Sequence, residues 1–418
     1  MRLRIGIANH RSAKSLNARC SNIYRDGNST LIIGIDASRN RSGGARAHLQ
    51  GILSGAEPQR FGIEHVHLWA YRSLADSIPN YTWLTKHTPA ILEGAVTRQL
   101  LWQRFRLRRE ATEAGCELMF NTDAGSVCNF QPSVTMSQDM LSFEPGEMQR
   151  YRGTKAWLRL FVLRYVQAVS LKRSNTALFL TNHAASVIQH EVGAVKRQAI
   201  VPHGVDGAFR QASTVASWPI NNERPIRFVY VSNTTYYKHQ WNVVRAFGEV
   251  RKSMDSEATL LLIGGGSGKP QMMLEKALDE TDPQRSCIQQ MSYIEHASIP
   301  RYLAEADVFV FASSCENMPI TLLEAMASGL PIACAKRGPM PEVLGDAGFY
   351  FDPENPSSIA NALKELVSDS GLRNARAAQA KLLSEQFSWE RCAKETWQCL
   401  TDALPQPEVQ ASGMRRAS

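Results

Sequence analysis

Apolar residues fall along this chain in short runs, with stretches of helical spacing between them. In the first half Leu31, Ile32, Ile33 and Ile35 read as a strand, as do His65–Tyr71, Leu118–Asn121, Ser133–Ser137, Ala177–Thr181 and Ala199–Pro202. Helices are predicted from about Ala45 to Leu53 and from Asn182 to Glu191. The second half repeats the alternation, with strands at Ile226–Val231, Leu260–Ile263, Val308–Phe311 and Leu330–Ala335. Helices are predicted up to Val250, over 299–306, from Pro319 to Gly329, and then at Pro356–Asp369, Gly371–Phe387 and Ser388–Leu404. Strands alternating with helices build parallel sheets, so the expected fold class is α/β, doubly wound.

The expected boundaries follow from composition. Residues 1–29 form a polar, basic extension and 30–210 a first domain; 211–225, with Pro219 and Pro225, is a linker. Residues 226–386 form a second domain, 387–404 a last helix, and 405–418 a tail.

Between Phe309 and Ala335 only Glu316 and Glu324 are charged. Glu316 falls in the loop after a strand, where open α/β sheets hold ligands. Pro319 is expected at the first helical position and Gly329 at the close. Glu324 falls inside a helix that Leu322, Leu323 and Met326 make apolar nearly all round, so its carboxylate should be buried and in need of a partner. A core Arg or Lys is the ordinary partner for such a group.

A chain of 418 residues suggests two or three domains, and 44% hydrophobic residues is a globular composition. Eight cysteines without a C-x-x-C pair argue against a disulfide framework and a zinc site and favour a reducing compartment. Trp157–Leu171 comes nearest to a membrane span, and Arg159 and Arg164 interrupt it; the start lacks the apolar core of a signal peptide. A cytoplasmic protein is expected. The net charge of +8 favours an anionic partner. No stacking-aromatic or recognition-helix motif points to specific nucleic-acid binding.

Two predicted helices, Arg98–Arg109 and Tyr151–Arg173, are basic and amphipathic. One cation on a helix is a solvated face; the two helices together suggest peripheral contact with an acidic membrane, at its inner face, or with an anionic lipid-linked acceptor. Gly43 and Gly44, after Ser42, lie between strand and helix, where backbone N–H groups can approach an anion. Lys238 precedes a helix start, and its charge would add to the helix dipole in attracting phosphate. The run Gly264–Pro270 fails as a P-loop, because Pro270 stands where the magnesium-binding hydroxyl would be. His65 and His67 share a strand face without a third ligand, and no metal site is expected.

With Glu-Asn-Met-Pro before the helix and Ala-Ser-Gly-Leu-Pro-Ile after it, Glu316 and Glu324 resemble the E-x7-E signature of the retaining glycosyltransferases of family 4. That resemblance covers about residues 30–404, more strongly from 226 onward. It implies the GT-B architecture, two Rossmann-like domains facing across a cleft, with the last helix crossing back to the first. It implies that Glu316 meets the donor sugar and Glu324 the ribose, that Lys238 and the helix start at Asn317, Met318, Pro319 and Ile320 meet the diphosphate, and that Gly43 and Gly44 face the phosphates. Gly265 and the segment ending at Tyr293 would lie by the nucleotide, and Glu342 near the rim. Three positions depart from the family pattern: Gln138 stands for a histidine near the acceptor, Asn233 for an arginine, and His203 for the asparagine of an N-G-V-D run.

The implied activity is metal-independent, cofactor-free transfer of a sugar from a nucleoside diphosphate to a hydroxyl of a glycan or lipid-linked acceptor, as in polysaccharide biosynthesis. The alternatives are a GT-B epimerase or phosphorylase, or an inactive basic binding protein on the same scaffold.

Overall fold

The computed structural model describes residues 31–404 except 42, 56, 212–217, 220–222 and 255. The expected 1–29 extension and 405–418 tail, Ser42 and much of the 211–225 linker lie outside the described residues.

Seven strands make the first sheet: β1 (Leu31–Asp36), β2 (Ile63–Trp69), β3 (Leu84–His87), β4 (Leu118–Asn121), β5 (Ser133–Met136), β6 (Thr176–Phe179) and β7 (Gln198–Ile200). Six make the second: β8 (Ile226–Val231), β9 (Ala258–Ile263), β10 (Ile288–Met291), β11 (Val308–Phe311), β12 (Ile332–Ala335) and β13 (Phe349–Phe351). The strand orders are β3-β2-β1-β4-β5-β6-β7 and β10-β9-β8-β11-β12-β13. The registered pairs are parallel, as between β1 and β4 or β8 and β11. In each sheet the order reverses beside the first strand, between β1 and β4 and between β8 and β11, and such a switch point opens a crevice at the strands' C-terminal ends.

The central strands are apolar because both faces are covered: each residue of β11 and β12 is fully buried. The last helix, Trp389–Asp402, returns to the first lobe, where Trp397 Nε1 donates to Ile52 O at 3.2 Å. Its start packs so closely that Gly204 is required: a methyl group there would lie 2.2 Å from the Trp389 backbone nitrogen. Val205 pairs with Ser388 beside it.

The expected helix Arg98–Arg109 is two helices, Val96–Phe105 and Leu107–Glu113. Trp102 and Leu107 are both buried, yet five residues on one helix point about 140° apart, so the chain breaks at Arg106 to turn both inward. Glu110 fastens the break by accepting from Trp69 Nε1 at 3.1 Å and Trp102 Nε1 at 3.0 Å. The helix expected from Tyr151 begins at Lys155, capped by Thr154; a tight turn over Glu147–Tyr151 and left-handed Gly153 precede it. Strands β3, β10 and β13 carry no predicted counterpart; β10 occupies Ile288–Met291 of the segment expected to lie by the nucleotide, which ends at Tyr293. Among the described residues the seven cysteines are free, and no helix is long and apolar enough to cross a membrane.

Candidate functional site

Lys238 follows β8 and Glu316 follows β11, so the two strands flanking the second switch point deliver one charge each. Their side chains form an ion pair. Burial alone would lower the Lys238 pKa, but attraction to Glu316 and the hydrogen bond between them outweigh it and hold the ammonium above its ordinary value. The Lys238 Nζ lies 5.4 Å from the Phe311 ring centroid and 5.3 Å from that of Tyr237, and Tyr230 Oη donates to the Lys238 carbonyl at 2.8 Å. His239 takes the left-handed conformation (φ 46°) to turn this loop into the helix Gln240–Lys252, and its Nε2 is 2.9 Å from Ser314 Oγ.

The helix Ile320–Ala327 starts one residue later than expected, with Pro319 as its cap residue. Pro319 has no N–H, so its carbonyl opens the helix instead, accepting from Leu322 N at 3.0 Å and Leu323 N at 3.1 Å. Gly44 of the first lobe meets this helix across the cleft: a methyl group on Gly44 would lie 3.5 Å from Ile320 Cδ1. Gly43 faces open space, and together they begin the helix Gly43–Ser54. The glycine turn expected to approach an anion therefore stands opposite the Glu316 loop and helix.

Glu324 is buried, 2% exposed, and accepts from His296 Nε2 at 2.6 Å. Burial raises the Glu324 pKa, only partly opposed by His296, while the hydrogen bond to Glu324 raises that of His296. The partner expected for this carboxylate was a core cation or a ribose; the structure gives it a histidine in the loop just past Tyr293. The His296 ring lies 5.6 Å from that of Phe209 in the first lobe. The sequence signal for His296 was its place three residues beyond Tyr293, in the segment after β10.

The other expected donor residues separate into two groups. Asn233 is exposed beside the second-lobe loops and Tyr293 is 82% exposed. Gly265 O accepts from Thr234 N at 3.1 Å, and flanking Gly264 and Gly266 let the loops after β8 and β9 touch: a methyl on either would come within 2.4 Å of backbone oxygen. Asn317 and Met318 are buried. The Asn317 side chain is directed to the first lobe, donating to Ser137 O at 3.1 Å, and its carbonyl accepts from Thr181 Oγ1 at 3.1 Å.

More contacts of this kind join the lobes. Ser314 Oγ donates to Glu147 Oε1 at 2.6 Å. Glu342, expected at the rim, caps the helix Asn182–Val192 by accepting from Asn182 N at 2.8 Å and His183 N at 2.9 Å. Gln138 donates to Thr122 O at 2.7 Å, a bond within its own lobe. Next to it, burial raises the Asp139 pKa. His203 lies in a loop and is 3% exposed; its ring is 5.0 Å from that of His48, and burial followed by the His48 charge pushes its pKa well down.

Residues 215–383 match the family model of glycosyl transferases group 1. Among curated proteins, the chain is 32% identical to the O-antigen chain mannosyltransferase B of Escherichia coli over 119 residues, 28% of this chain and 31% of that protein. It is 29% identical to the D-inositol 3-phosphate glycosyltransferase of Xylanimonas cellulosilytica over 143 residues, 34% of each chain. The chain thus spans about a third of the length of these relatives. Among solved structures, sucrose-phosphate synthase from Thermosynechococcus elongatus superposes with a TM-score of 0.69 at 15% identity, covering 88% of this chain and 98% of that one. HepE of Anabaena in complex with UDP superposes at 0.67 and 16%, covering 89% and 100%. The fold is therefore GT-B, with two parallel-sheet Rossmann-like lobes.

Proposed function

We propose that this chain is a retaining glycosyltransferase that moves a hexosyl group from a nucleoside diphosphate to a hydroxyl of a glycan or lipid-linked acceptor. The observation that carries the reading is the Lys238–Glu316 pair at the second switch point, opposite Gly44 and the start of the helix Ile320–Ala327. In the reaction a glycosidic bond to diphosphate breaks, and negative charge grows on the leaving oxygen. Lys238 and the N-terminal end of the helix stabilise that charge in place of a metal ion, and Glu316, released from Lys238 by the diphosphate, accepts from sugar hydroxyls. Glu324 exchanges His296 for the ribose diol, while Gly265 and Tyr293 border the base; Gly43 and Gly44 face the phosphates. Asn233 is a neutral neighbour, so Lys238 carries more of the diphosphate charge.

The UDP-glucose complex of HepE and the similarity to the O-antigen chain mannosyltransferase B of Escherichia coli support a sugar nucleotide as donor and a glycan as acceptor. The test is release of nucleoside diphosphate across a panel of sugar nucleotides, with and without acceptor. Release only with acceptor supports transfer; release or isomerisation without it favours an epimerase. An inverted anomeric linkage, read from proton coupling constants, removes the retaining assignment.

A further inference from the structure

Nine of the twelve large hydrophobic residues that stand exposed among the described residues lie on two first-lobe helices. Three, Val96, Leu101 and Phe105, are on Val96–Phe105, and six are on Lys155–Arg173. The longer helix is barely docked: of its 19 residues only Leu160, Gln167 and Leu171 are buried. Phe105 and Tyr165 are each 70% exposed, and the Trp157 and Phe161 rings stack in the open at 5.9 Å. A helix that hides one narrow stripe and shows aromatic and aliphatic tips to water over about 28 Å is missing a partner.

Charge identifies the partner. The two helices carry Arg98, Arg104, Lys155, Arg159, Arg164, Lys172 and Arg173 and no Asp or Glu; of these Arg164 is paired with Glu191 of the helix Asn182–Val192. Between them lies a cavity of about 230 Å³, walled by Arg104, Tyr165 and Arg173. It exists because the connection from β4 to β5 forms no helix, leaving the sheet face uncovered there. The floor is polar where a covered sheet would be apolar: Asn121, Ser133 and Thr135 line it, and Asn121 Nδ2 donates to Thr135 Oγ1 at 3.1 Å. Buried Asp36 is not in the lining, and it accepts from Ser126, which is, at 3.0 Å.

We propose that this face seats the protein on an acidic lipid surface, a headgroup phosphate entering the cavity between Arg104 and Arg173 and the exposed apolar side chains entering the interfacial region. Aromatic and leucine tips framed by Arg and Lys, on two helices that carry no acidic residue, match an anionic bilayer surface. The inference deepens the reading of a transferase acting on a lipid-linked acceptor, and it stands on residues separate from the donor site.

The full-length protein is floated with vesicles of phosphatidylcholine, with and without phosphatidylglycerol. The expected result is binding to the acidic vesicles alone, weakened by salt. Arg104→Gln with Arg173→Gln lowers the partition about five-fold per arginine. Phe105→Ser with Phe161→Ser, which leaves charge unchanged, lowers it by an order of magnitude, roughly ten-fold. The second-lobe pair Arg245→Gln and Lys364→Gln leaves it as it was. A sugar-nucleotide thermal shift retained in each variant shows that it is folded. Equal binding to neutral vesicles, equal loss in the second-lobe pair, capture of inorganic phosphate without vesicle binding, or a stable dimer that hides Phe105 and Phe161 overturns the assignment. Acceptor-dependent diphosphate release is scored separately with a soluble acceptor, so failure of docking and failure of the transferase reading are told apart.

Discussion

His296 Nε2 donates to Glu324 Oε1 at 2.6 Å, closing off a carboxylate that lies inside an otherwise apolar helix. On the proposed reading, ribose hydroxyls and His296 compete for the same oxygen. His296 has a raised pKa, so its proton favours the folded state in which it pairs with Glu324; that contribution is complete below the ordinary histidine value and fades as pH rises through the raised one. Donor affinity should therefore rise with pH across the same window. Isothermal titration of wild type and His296→Ala checks it, and the variant is expected to lose the pH dependence.

Lys238 and Glu316 neutralise one another within the protein, each about 15% exposed or less. Removing one charge strands the other, so Lys238→Met should lower stability by about 3 kcal/mol, and adding Glu316→Gln should restore much of it. Denaturant unfolding of the two single variants and the double variant reads the coupling.

The same lysine should dominate catalysis. Lys238→Ala is expected to lower kcat by about a hundred- to a thousand-fold, the scale of one preorganised electrostatic partner. Near-normal turnover of a folded Lys238→Ala protein would remove Lys238 from the reaction.

His48 is fully buried and burial holds its pKa down at about 3, with His203 beside it also well below its ordinary value. Here the sign is opposite to that of His296. The unfolded chain binds protons that the native one refuses, so stability falls as pH drops below about 6.5, by about 2 kcal/mol at pH 5 from His48 alone. Denaturant midpoints for wild type and His48→Leu between pH 5 and 8 should show a shallower acid loss in the variant.

Gly204→Ala places a methyl group against the Trp389 backbone, which cannot swing aside as a side chain can. The expected cost is about 2 kcal/mol, with faster hydrogen exchange across Trp389–Asp402 as the crossover helix loosens.

The sequence by itself determined the elements and the switch-point loops. The strands Val308–Phe311 and Ile226–Val231 and the helix before Gly329 were legible because strand and helix periodicity is local, and a buried Glu324 followed from the apolar residues around it. The break at Arg106 was not legible, since it answers to where the sheet lies. Nor were the partners: His296 is 28 residues from Glu324, Lys238 78 from Glu316, and Ser137 180 from Asn317. Pattern shows which faces turn inward, but a hydrogen bond needs atoms within about 3 Å, and only the packing of the two lobes brings such distant residues that close.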